Sequence, residues 1–157
     1  MDTTAARTAV HDARVARLAT VGTDGLPHLV PVCFALVGDV VYSAVDHKPK
    51  RSVRLRRVEN VESTGGACLL VDAYSEDWSR LWWVRLDGRG RVVRDPHEAA
   101  LAIGALREKY EQYATLTSSD TVLAIDVERW VSWSGMPDPR LAPGVTVRAS
   151  QSGREVV

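Results

Sequence analysis

The sequence predicts a mainly β protein, an antiparallel barrel that is closed or nearly closed, with helices flanking it. Three observations predict it. Six segments have strand length and strand composition: RLATV, LPHLVPVCFALV, VVYSAV, ACLLVDAY, LWWVRLDGRGRVV and TVLAIDVERWVSW. The turns TDG, GD and SEDWSR between them are short, and short turns join antiparallel neighbours, because a parallel pair needs a crossover of about a dozen residues. Two helical patterns interrupt the series, a short one between the third and fourth segments and a longer one between the fifth and sixth.

Taken in order, Thr3 or Thr4 is the expected cap of a first helix running to about Ala16. Ala6, Val10 and Ala13 recur at helical spacing, with Asp12, Arg14 and Arg17 turned to water. Asp24-Gly25 is a hairpin signal. Pro31 removes an amide from the second strand, which places that residue at an edge, a bulge or a ligand-facing opening. The short helix is expected from about Ser52 to Glu62, ending before Gly65 and Gly66. The longer one opens at Asp95, with Pro96 where a missing amide is harmless. Its inner side carries Ala99, Ala100, Ile103, Leu106 and Tyr110; Arg107, Lys109 and Glu111 are assigned to the wet side. Residues 137–157 are rich in Pro, Gly, Ser and charge and are expected to form a mobile tail, leaving 1–136 as one domain.

Composition narrows the function. Twenty basic residues balance twenty acidic ones in 157, which argues against a protein that coats nucleic acid, since non-specific phosphate binding needs a broad cationic surface. Cys33 and Cys68 lie apart inside apolar runs and read as reduced core thiols, which points to the cytoplasm. No apolar stretch approaches the ~20 residues of a membrane span, and the amino terminus lacks a signal-peptide core. There is no GxGxxG after a strand, no P-loop, no GxSxG and no HExxH. The four histidines are scattered, with no cluster of Cys or carboxylates at ligand spacing beside them, so no metal site is expected.

The charge that does cluster is in DHKPKRSVRLRR, residues 46–57, which holds six of the twenty Lys and Arg. Lys48 and Lys50 flank Pro49, whose ring limits the backbone, and Arg51 follows just before a predicted helix start, where free amides favour anions. Lys50, Arg54 and Arg57 would share one helical face. That pattern suits a phosphate with further negative charge beyond it; the alternative is a solvated cationic face balanced by Glu59 and Glu62. EDWSRLWWVR, residues 76–85, holds three of the five tryptophans. In a strand Trp82 and Trp83 point to opposite faces, so one is placed in the core and the other at a cleft or a partner subunit; the alternative is a purely structural role for all three.

ARLATVGTDGLPHLVPVCFAL, VVYSAV, DHKPKR, LLVDAY and EDWSRLWWVRLDG occur together in an order and spacing that resembles the flavin and deazaflavin split β-barrel proteins. This is the superfamily of pyridoxamine 5'-phosphate oxidase-like, FMN-binding split-barrel folds, and the resemblance is to its coenzyme F420-dependent branch. It covers about residues 13 to 133. It implies a six-stranded split barrel, a homodimer and two cofactor sites at the subunit interface. It also implies that the acidic tail of F420 lies along Lys48, Lys50 and Arg51, around Pro49. The flat ring would lie against His28, Pro31, Val32, Ser43, Ala44 and Val45, with Trp83 of the partner closing over it and Trp82 as the fallback. Relatives often read Asn-Pro before the fourth strand, where this chain has Ser63-Thr64-Gly65-Gly66.

The implied activity is hydride transfer between reduced F420 and a small electron-poor acceptor, with the cofactor carrying the chemistry. No residue is singled out as a catalytic acid or base. The alternatives are an FMN-dependent oxidoreductase on the same fold and a non-enzymatic F420-binding or storage protein.

Overall fold

A computed structural model describes residues 1–45, 55–117 and 119–136, together with the backbone of 147–148. Helix α1 is Thr3–Asp12, followed by strands β1 (Ala16–Val21), β2 (Pro27–Val32), β3 (Ala35–Val37) and β4 (Val40–Ala44). Helix α2 is Arg56–Ser63; β5 (Gly66–Ala73) and β6 (Trp82–Val92) follow, then α3 (Pro96–Lys109), β7 (Val122–Ser134) and β8 (Val147–Arg148). The sheet runs β2-β1-β5-β6-β7-β4-β3, with every pair antiparallel, and β8 pairs with β7 at Arg129 and Trp130.

The closure follows from one juxtaposition. β2 and β3 stand at opposite ends of this path, yet only Cys33 and Phe34 separate them in sequence. Three Cα–Cα steps reach at most about 11 Å, so the sheet curls until its two ends nearly meet. The result is a split barrel. Where one strand was expected over LPHLVPVCFALV there are two, and the expected six strands become seven along the path. The corner is concealed in the sequence because Phe34 is fully buried and neither glycine nor proline marks it. Its amide donates to the Tyr110 hydroxyl at 3.1 Å, and that hydroxyl lies 2.7 Å from the Arg14 carbonyl and 2.9 Å from that of Phe34. One tyrosine thus holds the corner to the entry of β1.

Two apolar layers result. Inside the barrel, Leu18, Leu69, Leu86, Val41, Ile125 and Trp130 pack together, closed off by Ala6 and Val10 of α1 and Val58 and Val61 of α2. On the other side of β3, β4 and β7, residues Ala35, Tyr42, Ala44 and Ala124 meet Ala102, Ile103 and Leu106 of α3. Buried on both faces, β7 opens as the unbroken apolar run Val122–Ile125 instead of an alternating one. Arg91 pins α3 to this layer: it reaches Glu98 at 2.7 and 2.8 Å and Asp126 at 2.7 and 3.0 Å. Tyr42 donates to Glu98 at 2.9 Å. Burial, with this bond to a carboxylate, pushes the Tyr42 phenol up to about 12.

Several expectations are corrected. The cap of α1 is Asp2, whose Oδ1 accepts from the Ala5 amide at 2.7 Å, and the helix stops at Asp12 because Ala13 is already extended. Within the described residues α2 starts at Arg56, preceded by Leu55, which has extended backbone and packs its side chain on the barrel core; Ser52, near which the helix was expected to start, lies outside them. On α3, Ala102 replaces Ala100 on the buried side, and Lys109, assigned to water, is half-buried. The cysteines are free, but both are only half-buried. The Ser63–Gly66 turn is stabilised by Gly65 at φ +71° and by the Thr64 hydroxyl, which donates to Val21 O at 2.7 Å and accepts from Gly66 N at 3.2 Å. The expected tail lies outside the described residues except for β8.

Candidate functional site

The basic segment leaves β4 and enters α2. Its two ends are fixed by the fold: the Val45 amide donates to Thr121 O at 2.8 Å, and the Leu55 carbonyl accepts from Val58 N at 2.8 Å and Glu59 N at 3.2 Å. Lys48, Pro49, Lys50 and Arg51 fall within 46–54 and lie outside the described residues, as does Arg54. The remaining two cations are committed differently from what helical spacing suggests. Arg56 pairs with Asp24 of the β1–β2 turn at 2.8 Å. Arg57 is half-buried, burial lowers its pKa, and its Nε is sealed from solvent without a hydrogen-bond partner. A buried guanidinium N–H without an acceptor carries a desolvation cost.

Strand register sorts the positions predicted to face a flat ring. Thr20 pairs with His28 and Ala16 with Val32; Thr20 and Ala16 are buried in the barrel, so His28 and Val32 share that inward face. The Asn60 amide donates to Thr20 Oγ1 at 3.0 Å, while His28 Nδ1 is buried and unpartnered. Ser43 and Val45 alternate with Ala44, and Ser43 Oγ donates to Cys33 O at 2.8 Å. Ala44 faces α3 instead. Pro31 pairs with Arg17 and is exposed on the outer face of β2, a strand at the end of the path. The fold thus gathers His28, Val32, Ser43 and Val45 on one face and separates Pro31 and Ala44 from them. Val32, Ser43, Ala44 and Val45 are nearly covered by the chain itself.

The tryptophan pair divides as the alternation requires. Trp82 packs against the barrel core, whereas Trp83 lies on the outer face between Asp72 and Trp133. That outer face is mixed: Leu29 and Pro31 of β2, Ala19 of β1, Leu70 of β5 and Val131 and Trp133 of β7 share it with Arg17, Asp72 and Arg85, and Arg17 pairs with Asp72 at 2.6 Å. Leu29 is 65% exposed.

Sequence reasoning missed the polar island in the same surface. Asp87 accepts from Arg85 at 2.8 Å and from Arg129 at 2.9 Å, and the Cys68 thiol lies 3.3 Å from it. Burial alone would raise the Asp87 pKa, but these hydrogen bonds together hold its carboxyl below the ordinary value. Burial, followed by the bond to Asp87, pushes the Cys68 thiol up to about 11, so it is a poor nucleophile near neutral pH. The LDG spacing of β6, which places Asp87 two residues after Arg85 on one face, is the signal that could have found this cluster.

Among the described residues no group of His, Cys, Asp and Glu is arranged to hold a metal ion, and no helix is long and apolar enough to cross a membrane.

The sequence pattern of the family described as pyridoxamine 5'-phosphate oxidase matches residues 2–134. The chain belongs to this family. No curated protein matches. Among solved structures, a conserved hypothetical protein of Mycobacterium tuberculosis is 19% identical, with a TM-score of 0.69 and 86% of each chain covered. An FAD-binding protein of Mesorhizobium loti is 19% identical, with a TM-score of 0.64 over 84% of this chain and 94% of the other. A heme-binding protein of Mycobacterium smegmatis is 24% identical, with a TM-score of 0.64 over 83% of this chain and 56% of the other. These likenesses establish the pyridoxamine 5'-phosphate oxidase-like split-barrel fold.

Proposed function

We propose that this member of the pyridoxamine 5'-phosphate oxidase family is an F420-binding oxidoreductase acting as a homodimer, reducing a small electron-poor organic acceptor. The observation that carries the reading is the position of the basic segment: Lys48, Lys50, Arg51 and Arg54 lie between β4 and α2, and the buried Arg57 Nε in the first turn of α2 is unpartnered. Reduced F420, when bound, supplies a hydride. Lys48, Lys50 and Arg51 neutralise the phosphate and acidic tail, and Pro49 limits how far the two lysines separate. His28 Nδ1, a predicted ring-face atom that is buried without a partner, offers one hydrogen bond to a heteroatom at the ring edge. Trp83 of a second copy excludes water from the ring.

Exposed Leu29, Pro31 and Trp133 on the outer face favour the dimer, since a second copy would cover them. Light scattering at micromolar concentration is expected to return about twice the 17.2 kDa chain mass; a single-chain mass would remove both the interface and the aromatic lid.

One observation favours FMN instead. The Arg56–Asp24 pair withdraws a cation from the segment, leaving a cradle better matched to one phosphate. The heme-binding relative raises binding without turnover as another outcome. Fluorescence titration of the protein with F420 and with FMN decides between the first two. The F420 reading requires tighter binding of the deazaflavin, with the difference shrinking as salt rises; preference for FMN at all salt concentrations overturns it.

A further inference from the structure

A cavity of about 420 Å³ opens between α1, β3 and α3, lined by His11, Asp12, Arg14, Leu36, Glu108 and Lys109 among others. None of its lining residues belongs to the basic segment or the predicted ring face.

Its unusual member is Lys109. The Nζ is sealed from solvent and has no hydrogen-bond partner. It sits 4.2 Å from the Phe34 ring centroid and 5.8 Å from that of Tyr110. Arg14 stacks over the same Tyr110 ring at 4.6 Å, so two cations share one aromatic and neither is paired with a carboxylate in the described contacts. A ring face returns on the order of 2 kcal/mol to a desolvated cation, against several for taking an ammonium out of water. The site therefore holds positive charge at a net cost.

Among the groups around Lys109, Asp12 and Cys33 favour its charged form, but burial and Arg14 outweigh them. On α1, Asp12 is engaged by His11 at 3.0 Å. On the β2–β3 link, Cys33 presents a thiol, and on α3 Tyr110 spends its hydroxyl on Phe34 and Arg14. Glu108 lines the cavity from the next position along the helix. Burial, with the like charge of Arg14 behind it, lowers the Lys109 amine to about 8.

We propose that this cavity binds a small organic monoanion, a carboxylate with an apolar body, its charge between Lys109 and Arg14 and its body against Ala35, Leu36 and Ala105. The volume lies in the range of small-ligand pockets. Behind the lining residues, the Tyr110 hydroxyl ties the backbone of Phe34 to that of Arg14, which fixes the backbone from which the Arg14 side chain reaches the cavity. The four side-chain torsions of Lys109 let its amine leave the Phe34 face for an incoming acceptor. Asp12 and Glu108 at the rim repel ligands of higher negative charge.

The linkage has a definite sign. The carboxylate binds the protonated amine, so affinity is fully present below about pH 8 and is lost as pH rises through that value. The probe is sodium benzoate, titrated calorimetrically into the full chain, with neutral benzamide as the control. Benzoate is expected to bind at pH 7 and about tenfold more weakly at pH 9, with benzamide binding at neither. Lys109→Met keeps the stem on Phe34 and should abolish binding without loss of the circular-dichroism spectrum. Should that variant fail to fold, Arg14→Gln, which alters an exposed side chain, carries the same expectation. Nitrogen-detected NMR of the lysine amines should show one of them titrating near pH 8, and benzoate should shift that titration upward. Equal binding of benzoate and benzamide, no benzoate binding at pH 7, or an affinity indifferent to pH or to the folded variants would each overturn the assignment.

Discussion

Phe34→Ala is expected to destabilise the chain by about 4 kcal/mol, the largest effect of any single truncation considered. Phe34 is fully enclosed and occupies the two-residue corner where the sheet's ends come together, so little around it is free to collapse into the space. The lost transfer energy and the residual cavity therefore add. For a chain of this length the change lowers Tm by roughly 8–16 °C. Phe34→Leu, which restores most of the volume, should cost about 1 kcal/mol. Thermal unfolding of the two variants checks this. A Phe34→Ala loss no greater than that of Phe34→Leu would mean that the corner does not hold the barrel shut.

Gly88→Ala is expected to cost about 3 kcal/mol, for a reason opposite in kind. β6 and β7 shift register between Asp87 and Gly88, so that Asp87 faces Arg129 while Gly88 faces Val127. At this bulge the backbones approach closely: a Cβ on Gly88 would lie 2.2 Å from the Asp126 carbonyl oxygen and 3.0 Å from its carbon. No side-chain rotation relieves a collision with backbone. Either the bulge opens, displacing Asp126 from Arg91, or the strands part. Gly104→Ala makes the control, because nothing lies within 4 Å of its Cβ position and alanine favours the helix interior, so it should be neutral or stabilising. Equal stability of Gly88→Ala and the parent in urea unfolding would show that the close approach is not a constraint.

The order of strands and helices is legible because period-two and helical patterns change cleanly along the chain. The antiparallel reading is legible from turn length, and Gly25 and Gly38 take the positive φ that such turns use. What failed has a common physical origin, tertiary closure. The β2–β3 corner is invisible because the barrel core surrounds it, so it carries Phe34 where an exposed turn would carry Gly, Asn or Pro. Cys68 sits amid the apolar string ACLLV, yet alternation turns it outward to Asp87. Lys109 has a charged residue's sequence signature, and only the Phe34 corner and Tyr110, which α3 brings together, enclose it. The site was partly legible: alternation placed one tryptophan of the pair outside, but it could not separate Pro31 and Ala44 from His28, Val32, Ser43 and Val45. That separation depends on which pleat of each strand faces the barrel.

The same physics sets the direction of the functional argument. Zero net charge with Lys48, Lys50, Arg51 and Arg54 in one connection makes that connection the place to test for polyanion binding. The measurement that bears on this most directly is the equilibrium affinity for F420 of the parent chain and of a Lys48→Ala, Lys50→Ala double variant, read by deazaflavin fluorescence at fixed ionic strength. Loss of two charge-assisted contacts should weaken binding by about 2 kcal/mol or more, roughly thirtyfold, with the melting temperature unchanged. Equal affinities in two equally folded proteins would contradict the assignment of the basic segment to the cofactor's acidic tail.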